Sequence, residues 1–295
     1  MIRSLVEHCP DRFTIDVIDC GAHVLRRVGA DEVEPLPDAW RGRLGGGTEF
    51  SFARFGPPEL CGYHGRAVYL EADQLLLDDL DELAAIDLGD ADLAAVPFAA
   101  ARGDRPAFQS DGHLSSVVVF DNARCRGLSV PAVTDAVESG RLTYGEAISF
   151  SVPVLALAAV HIAPLPVRWN DLERRQRDTA LLHYTDTSRQ PWRRPGHPEG
   201  RRWRRAYVSC LREGGIDVAT VDDAWRRGGV SRRVRTLARV PPRLAGAVDV
   251  AWQWCERIER RTTALVAMTR PHVGRVVRRA RAAVRAVAGS SRARP

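Results

Sequence analysis

The stretch from Arg66 to Leu83, RAVYLEADQLLLDDLDEL, constrains the fold more than any other part of the chain. Its first residues, Ala67 to Leu70, are apolar and include a β-branched and an aromatic side chain, which predicts a buried strand. Glu71 and Asp73 follow at alternate positions, so an extended backbone points both carboxylates to the same side. Ligands of open α/β sheets bind at this carboxyl edge of the strands. The stretch therefore predicts an α/β fold with a site at the end of this strand.

Two carboxylates at such an edge predict a divalent cation site, because hard oxygen ligands suit Mg²⁺ and Mn²⁺. A cation held there would in turn suit a diphosphate. The alternative is an ordinary strand that ends in an acidic turn, since short acidic motifs are common without a ligand. The acidic and leucine-rich residues 78–83 predict a turn and a short solvated helix.

Length and composition are those of a globular protein. The chain has 295 residues, of which 45% are hydrophobic and 27% charged, enough for one large domain with an appendage. Its charge is divided sharply: residues 224–295 hold 18 Arg and 3 acidic residues, whereas residues 1–223 hold 25 Arg and 34 acidic residues. The first part is thus acidic and the tail strongly basic.

The cysteine pattern and the hydropathy predict a cytoplasmic protein. The 6 cysteines form no C-x-x-C pair and fit no zinc or disulfide framework, which favours a reducing compartment. The first residues carry no signal-peptide pattern. The uncharged run from Ser149 to Val167 has the length of a membrane span, but its prolines favour buried core segments, and a transmembrane helix is the alternative.

Periodicity and turn residues predict several elements along the chain. A helix covers Ile2 to His8, a strand Phe13 to Ile18, a second strand Ser115 to Phe120, and a helix residues 129–140 with Ser129 as N-cap. Residues 31–47, rich in Pro, Asp and Gly, are predicted to form a mobile loop, and residues 84–113, rich in Ala, Asp and Gly, a variable excursion.

Three separated elements together resemble glycosyltransferase family 8, including its bacterial lipopolysaccharide galactosyl- and glucosyltransferase-like and its glycogenin-like members. YLEADQLLLDDLDEL resembles the family's D-x-D region, YLDADxLVxxDxxEL, with Glu71 in place of the first Asp. TEFSFARFGPPE, at Thr48 to Glu59, resembles the helix before that strand, and LLHYTDTSRQPW, at Leu181 to Trp192, resembles the family's H-x-x-G-x-x-K-P-W motif. The resemblance covers roughly residues 1–213.

The resemblance implies a single GT-A (Rossmann-like) domain and a set of metal ligands. The domain would transfer a hexose from a UDP-sugar to an acceptor hydroxyl on a glycan or glycolipid, with retention of configuration. Glu71, Asp73 and His183 would bind Mn²⁺ or Mg²⁺, and neutral imidazole suits such a metal.

The resemblance also implies donor-binding and catalytic residues. Arg54, which precedes Glu71 by the family's spacing of 17 residues, would contact the diphosphate, as would Arg189 or Gln190 in place of the motif's Lys. Trp192 completes the donor-binding set. Glu146, in the segment that resembles the family's Y-x-[DE], would be the catalytic carboxylate, and a solvated glutamate at a helix start is the alternative. The remaining resemblance is of Arg168-Trp169-Asn170 to a W-N element that shapes the sugar site.

The chain departs from the family pattern at several positions. Glu71 is longer than the family's Asp, two extra residues separate His183 from the Pro-Trp pair, and the chain contains no Lys. In the strand that usually carries N-x-G-V, Leu114 and Ser116 occupy the Asn and Gly positions. The first strand of a GT-A sheet, which precedes the first helix, is expected to be missing here, so that either the true start lies upstream or part of the donor pocket is lost.

Residues 214–295 are predicted to form an Arg-rich helical extension to the 1–213 domain, with a disordered end at 289–295. A helix is predicted from Leu244 to Thr269, and a second starts at Pro271 with an apolar face flanked by arginines. This pattern favours contact with an anionic membrane surface, on the inner face of the plasma membrane. A helical cap or oligomer contact is one alternative, and nucleic-acid binding is a weaker one, because no known binding module is recognisable.

Two other functions are consistent with the sequence. One is a catalytically degenerate protein that binds a nucleotide sugar or acts as a scaffold at the membrane surface. The other is a basic, nucleic-acid-associated protein whose acidic part only resembles a transferase. The departures from the family pattern motivate the first of these two.

Overall fold

The computed structural model describes residues 2–9, 13–48, 50–102, 112–194, 196–241, 243–251 and 254. The chain forms two compact units: Met1–Pro191 with His197–Ala206, and Trp192–Gly196 with the residues from Tyr207 onward. The domain boundary between residues 213 and 214 remains a prediction.

The described chain combines helices and strands throughout, which confirms the predicted α/β class. The helices are α1 (Ile2–His8), α2 (Pro57–Leu60), α3 (Leu80–Ala84), α4 (Val130–Glu138), α5 (Tyr144–Ile148), α6 (Val152–Ala158), α7 (Gly200–Arg212), α8 (Val218–Arg226) and α9 (Arg232–Arg239). The strands are β1 (Asp16–Asp19), β2 (Val24–Arg27), β3 (Val33–Pro35), β4 (Arg66–Leu70), β5 (Gln74–Leu76), β6 (Leu93–Pro97), β7 (His113–Asp121), β8 (Ile162–Pro164), β9 (Asp171–Leu172) and β10 (Leu181–His183). Short 3₁₀ turns cover Asp38–Trp40, Ala53–Phe55, Phe98–Ala100, Asn122–Arg124 and Val167–Asn170.

The largest sheet has four strands in the order β4-β7-β6-β8. β7 pairs antiparallel with both β4 and β6, and β8 lies parallel to β6. Alternate β7 residues belong to the two hydrophobic clusters, Val118 and Phe120 to one and Val117 and Val119 to the other. Since successive side chains of a strand point to opposite faces, this sheet is buried on both faces.

Strand β6 lies within residues 84–113, which were predicted as a variable excursion but contribute this strand to the four-stranded sheet. Leu93 to Val96 are at most 1% exposed and lie at the centre of the sheet. The segment LAAVP is short, alanine-rich and flanked by Asp and Gly, so it lacks the β-branched and aromatic composition by which strands are recognised. This segment is a strand because it is buried within the sheet, and not because its residues have a high β propensity.

The segment predicted as a mobile loop at residues 31–47 also contains regular structure, namely β3 and a 3₁₀ turn. β3 pairs with β2, which in turn pairs with β1. The Trp40 side chain is fully buried, and its Nε1 donates a hydrogen bond of 2.8 Å to Glu59. β1 covers Asp16–Asp19, so it begins and ends later in the chain than the strand predicted from Phe13 to Ile18.

A smaller sheet, β5-β10-β9, positions the candidate site. β10 runs antiparallel to β5, with His183 opposite Gln74, and parallel to β9, with His183 opposite Leu172. β5 begins directly after Asp73, so this pairing brings His183 to the end of β4 across more than a hundred residues of chain.

The uncharged run from Ser149 to Val167 divides into α6, β8 and connecting residues, as expected for core segments. None of the helices in the described ranges is long and apolar enough to span a membrane. Residues 243–251 are helical, as predicted, whereas most of the predicted Leu244–Thr269 helix, the helix from Pro271 and the end at 289–295 lie outside the described residues.

Candidate metal site

Three predicted ligands come together at the edge between the two sheets. Glu71, Asp73 and His183 each offer one ligand atom, and these atoms lie within 4.8 Å of one another. His183 Nε2 is 3.0 Å from Asp73 Oδ1 and 3.4 Å from Glu71 Oε2. The cluster is therefore compact enough to surround one ion.

Backbone and amide contacts fix the turn that presents the two carboxylates. Gln74 Oε1 accepts a hydrogen bond from the Glu71 backbone N–H (3.1 Å), and Gln74 Nε2 donates to the Ser116 carbonyl (2.9 Å). The Tyr184 backbone N–H donates to the Asp73 carbonyl at 3.0 Å. The turn between β4 and β5 is thus attached both to β7 and to the end of β10.

Two neighbours set the orientation of the His183 ring. Nδ1 lies 3.1 Å from Asn170 Oδ1 and 3.2 Å from Ser116 Oγ, and Asn170 Nδ2 donates to the same hydroxyl at 2.9 Å. Because Asn170 Oδ1 can only accept, Nδ1 carries a hydrogen, and the Nε2 lone pair of the neutral ring faces the carboxylates. This arrangement is typical of histidines that bind metals.

The residues present fit a divalent cation. Asp73 Oδ1 is buried, accepts no hydrogen bond of good geometry from the described residues, and lies 3.0 Å from His183 Nε2. A buried carboxylate oxygen needs a positive or donating partner, which a protonated His183 would supply without a metal and a bound cation would supply in its place. The mixed oxygen and nitrogen ligands suit Mn²⁺ and related divalent metals.

The electrostatics of the cluster depend on its mutual contacts. Burial raises the pKa of Glu71, but the Arg54 guanidinium and His183 outweigh it and hold that pKa below its ordinary value. Burial lowers the pKa of His183, but Asp73 and Glu71 together raise it to about 10. Without a cation, the imidazole is therefore protonated at neutral pH.

Arg54, predicted to contact a diphosphate, holds Glu71. Its Nη2 donates to Glu71 Oε1 at 2.7 Å, its Nε donates to the Ser51 carbonyl at 2.8 Å, and its Nη1 donates to Ser115 Oγ. The residue is only 8% exposed. A buried guanidinium with these partners is placed to orient and ionise Glu71, and its contact with a diphosphate remains a prediction.

The three predicted donor-binding residues after β10 differ in burial and in the unit to which they belong. Gln190 is buried, and its Nε2 donates to the Tyr184 carbonyl at 3.0 Å and lies 3.4 Å from Asp73 Oδ2. Arg189 is exposed. Trp192, half-buried, belongs to the second unit. Gln190 is therefore part of the cluster, and the donor-binding roles of the three residues remain predictions.

Glu146 has a structural partner at the start of α5. Its Oε2 accepts hydrogen bonds of 2.7 Å from both the backbone N–H and the hydroxyl of Thr143, and Thr143 Oγ1 accepts from the Glu146 N–H. These contacts from Thr143 lower the pKa of the exposed carboxyl. This reciprocal capping box matches the alternative of a helix-start glutamate. A catalytic role for Glu146 remains a prediction.

Comparisons with known proteins give weak similarities to glycosyltransferases. No family model matches the chain, and no curated protein matches it. The galactosyltransferase LgtC, in complex with donor and acceptor sugar analogs, is 18% identical over 58% of this chain and 72% of its own, with a TM-score of 0.41. The bifunctional glycosyltransferase WbbM is 13% identical over 58% of this chain and 38% of its own, with a TM-score of 0.43. GlyE of Streptococcus pneumoniae TIGR4 is 17% identical over 62% of this chain and 47% of its own, with a TM-score of 0.42. With these low values, the functional proposal rests on the residues of the site itself.

Sequence reasoning missed the residues that support the ligands. Gln74 and Ser116 were not expected to hold the turn or the histidine, and Asn170 was expected at a sugar site. All three are buried polar side chains on or beside strands, a position where polar groups usually need a specific partner. For Ser116, the available signal was a polar residue inside the strand predicted from Ser115 to Phe120.

The raised pKa of His183 predicts that cation binding displaces a proton. Because the folded pKa is about 10, the site loses a proton on binding at any pH below it. We expect the Mn²⁺ affinity to rise about tenfold per pH unit between about pH 6 and pH 8. Calorimetry in buffers of different ionisation enthalpy measures the number of protons released.

A control variant and metal-free unfolding complete this test. His183→Gln should remove the pH dependence together with most of the affinity. In EDTA, the protonated imidazole stabilises the fold fully below its unfolded pKa of 6.5, and this contribution is lost as pH rises through about 10. Cation binding without proton release would contradict His183 as a ligand.

Proposed function

We propose that this chain is a divalent-metal-dependent glycosyltransferase of the GT-A type that uses a nucleotide-diphosphate sugar. The observation that carries the proposal is the cluster of Glu71, Asp73 and His183 at the end of β4, with a buried carboxylate oxygen that has no hydrogen bond. The family 8 resemblance of the same three positions supports it.

The charges of the site explain why a diphosphate would require the metal. Without a cation, the negative charges of Glu71 and Asp73 are balanced by Arg54 and by the protonated His183. The metal-free site therefore offers no net positive charge to an anionic diphosphate. A bound divalent cation that displaces the proton would make the site positive and would neutralise charge that develops on the leaving nucleotide.

The side chains of the chain each have a distinct task in this proposal. Glu71, Asp73 and His183 hold the ion, and Arg54 keeps Glu71 ionised and oriented. Asn170 and Ser116 keep the His183 lone pair directed at the carboxylates. Exposed Arg189 is placed on the loop after β10, where its planar guanidinium suits a phosphate.

The finer features of the proposal follow the family resemblance. The donor is a UDP-sugar, the transferred group is a hexose, and the acceptor is a hydroxyl of a glycan or glycolipid, with retention of configuration. Mn²⁺ or Mg²⁺ is the cation. The enzyme is cytoplasmic, and its basic extension places it at the inner face of the plasma membrane.

The direct test is a calorimetric titration of UDP into the protein with Mn²⁺, with Mg²⁺ and with EDTA. We expect binding with Mn²⁺ to be at least about 30-fold tighter than in EDTA, because the diphosphate needs a positive site. Titration of inorganic phosphate measures how far binding depends on the nucleotide. A panel of UDP-sugars follows. Absence of UDP binding with either metal would contradict the proposed donor.

A second candidate is a nucleotide-sugar-binding protein without catalysis. Two observations favour it: the Glu146 carboxylate is engaged in a helix cap, and Gln190, at the position of the family's Lys, is buried beside Asp73. Release of UDP from bound UDP-sugars, with and without acceptor sugars, separates the candidates. Tight metal-dependent binding with no release under any condition would select the non-catalytic protein.

A further inference from the structure

Glu173 is a buried carboxylate outside the metal cluster. It directly follows β9 and is 1% exposed. Its backbone adopts φ of 62°, in the left-handed region that side chains such as glutamate rarely occupy. A conformation of this kind persists where the surrounding contacts require it.

The contacts of Glu173 join the two ends of one loop. Oε1 accepts hydrogen bonds from Thr185 Oγ1 (2.8 Å) and from the Asp186 backbone N–H (2.7 Å), which begin the loop after β10. Oε2 accepts a hydrogen bond of 2.7 Å from Nε2 of His197, the residue at which the chain re-enters the first unit. One carboxylate therefore receives three hydrogen bonds from both ends of the segment 185–197.

The His197 partner is a neutral imidazole that donates through Nε2. Its Nδ1 accepts a hydrogen bond from the Glu199 backbone N–H at 3.1 Å, so the ring hydrogen lies on Nε2. Burial alone raises the pKa of Glu173, but the hydrogen bonds from His197, Asp186 and Thr185 outweigh it and lower that pKa. Glu173 is thus ionised, and its contacts are charge-assisted.

The loop that Glu173 holds carries Gln190, which lies next to the metal cluster, and the exposed Arg189. Gln190 reaches Asp73, and the backbone N–H groups of Arg189 and Gln190 both donate to the Asp186 carbonyl. Asp186 is itself bonded to Glu173, so a single chain of contacts leads from the buried carboxylate to the metal ligand.

We propose that Glu173 is a positioning residue that fixes the loop 185–190 against the metal site, so that Gln190 stays beside Asp73 and the loop that carries Arg189 is held in place for the diphosphate of the donor. The part concerning the donor rests on the proposed function. Glu173 meets the ligand His183 through its backbone, whose N–H donates to the His183 carbonyl at 2.9 Å, and this contact does not depend on the side chain, so replacing the side chain should leave the three ligands in place. This separation of metal binding from donor binding distinguishes positioning from a general contribution to stability.

The test compares Glu173→Gln with the wild type by three measurements. A glutamine can still accept from Thr185 and Asp186, but its amide cannot accept from His197. We expect the UDP affinity in saturating Mn²⁺ to fall about tenfold and the Mn²⁺ affinity to change by less than about twofold. Amide hydrogen exchange at Arg189 and Gln190 should accelerate about tenfold.

Thr185→Val provides a milder variant in case the buried amide prevents folding. It removes one hydrogen bond to Glu173 and keeps the size of the side chain, and Thr236→Val, at an exposed position of α9, is the matched control. We expect Thr185→Val to change exchange and UDP affinity in the same direction as Glu173→Gln, by about threefold, with no effect in the control.

The outcomes separate this inference from the proposed function. Faster exchange in the loop with no UDP binding by the wild type would leave the positioning role standing and overturn the proposed donor. UDP binding by the wild type that neither variant alters, with unchanged loop exchange, would overturn the positioning role. Equal losses of Mn²⁺ and UDP affinity would also overturn it.

Discussion

Replacing Asp73 by asparagine is expected to lower the affinity for Mn²⁺ by at least about 100-fold. Residues that only orient a metal ligand already contribute about 10- to 100-fold to metal affinity, and Asp73 is itself a proposed ligand. The substitution keeps the size of the side chain and removes the charge of the residue whose Oδ1 is buried without a hydrogen bond. The Mn²⁺-dependent part of UDP binding should disappear with it. Electron paramagnetic resonance of free Mn²⁺ measures the first effect, and calorimetry the second.

Asp90→Asn is the matched control for this experiment. Asp90 is an exposed acidic residue in the same acidic part of the chain, residues 1–223. Replacing it changes the net charge by the same amount as Asp73→Asn and does not alter the cluster. We expect the control to bind Mn²⁺ within about twofold of the wild type, since exposed charges at a distance are screened. Equal affinities of Asp73→Asn and the wild type would show that the cation binds elsewhere.

Replacing Arg54 by methionine is expected to have the largest effect on stability. The Arg54 and Glu71 side chains are 10% and 13% exposed and are joined at 2.7 Å. Removing one partner of a buried ion pair leaves an uncompensated charge and costs about 3–5 kcal/mol. For a domain of this size, the melting temperature in EDTA should fall by roughly 10 °C. Thermal unfolding followed by circular dichroism measures it.

Two further measurements establish that the Arg54 effect acts through Glu71. The double variant Arg54→Met with Glu71→Gln should recover about half or more of the lost free energy of unfolding, because the unpaired charge is gone. Saturating Mn²⁺ should also recover part of the loss in Arg54→Met, since the ion binds only the folded state. If neither the double variant nor the metal restores stability, Arg54 does not act by neutralising Glu71.

Local patterns in the sequence were sufficient where the contact lies within one element. The strand before Glu71 and the strand from Ser115 were predicted because their composition is typical of buried strands, and both are present as β4 and β7. Ser129 caps α4 by accepting from the Ala132 N–H, as predicted from its position before Pro131. The helix cap at Glu146 also has a local signal, because Thr143-x-x-Glu146 is the pattern of a capping box.

Side-chain partners across the fold could not be predicted in the same way. The sequence placed Arg54 at a suitable spacing for a diphosphate but did not show that its guanidinium lies on Glu71. Glu173, Thr185 and His197 form no motif, because their contacts depend on how β9 and β10 pair. Such contacts become visible only when the fold is known, since nothing in residue type fixes which polar groups meet.

The pairing of β10 with β5 gives the cation site a further property. His183 lies opposite Gln74, and both strands are only three residues long. A shift of one residue in this pairing would turn His183 to the opposite face and separate it from the carboxylates. A bound ion therefore stabilises a single register, and cation affinity becomes a reporter of strand alignment. Core substitutions in either strand that shift the alignment should be detectable as lost Mn²⁺ binding, even where the helix and strand content is unchanged.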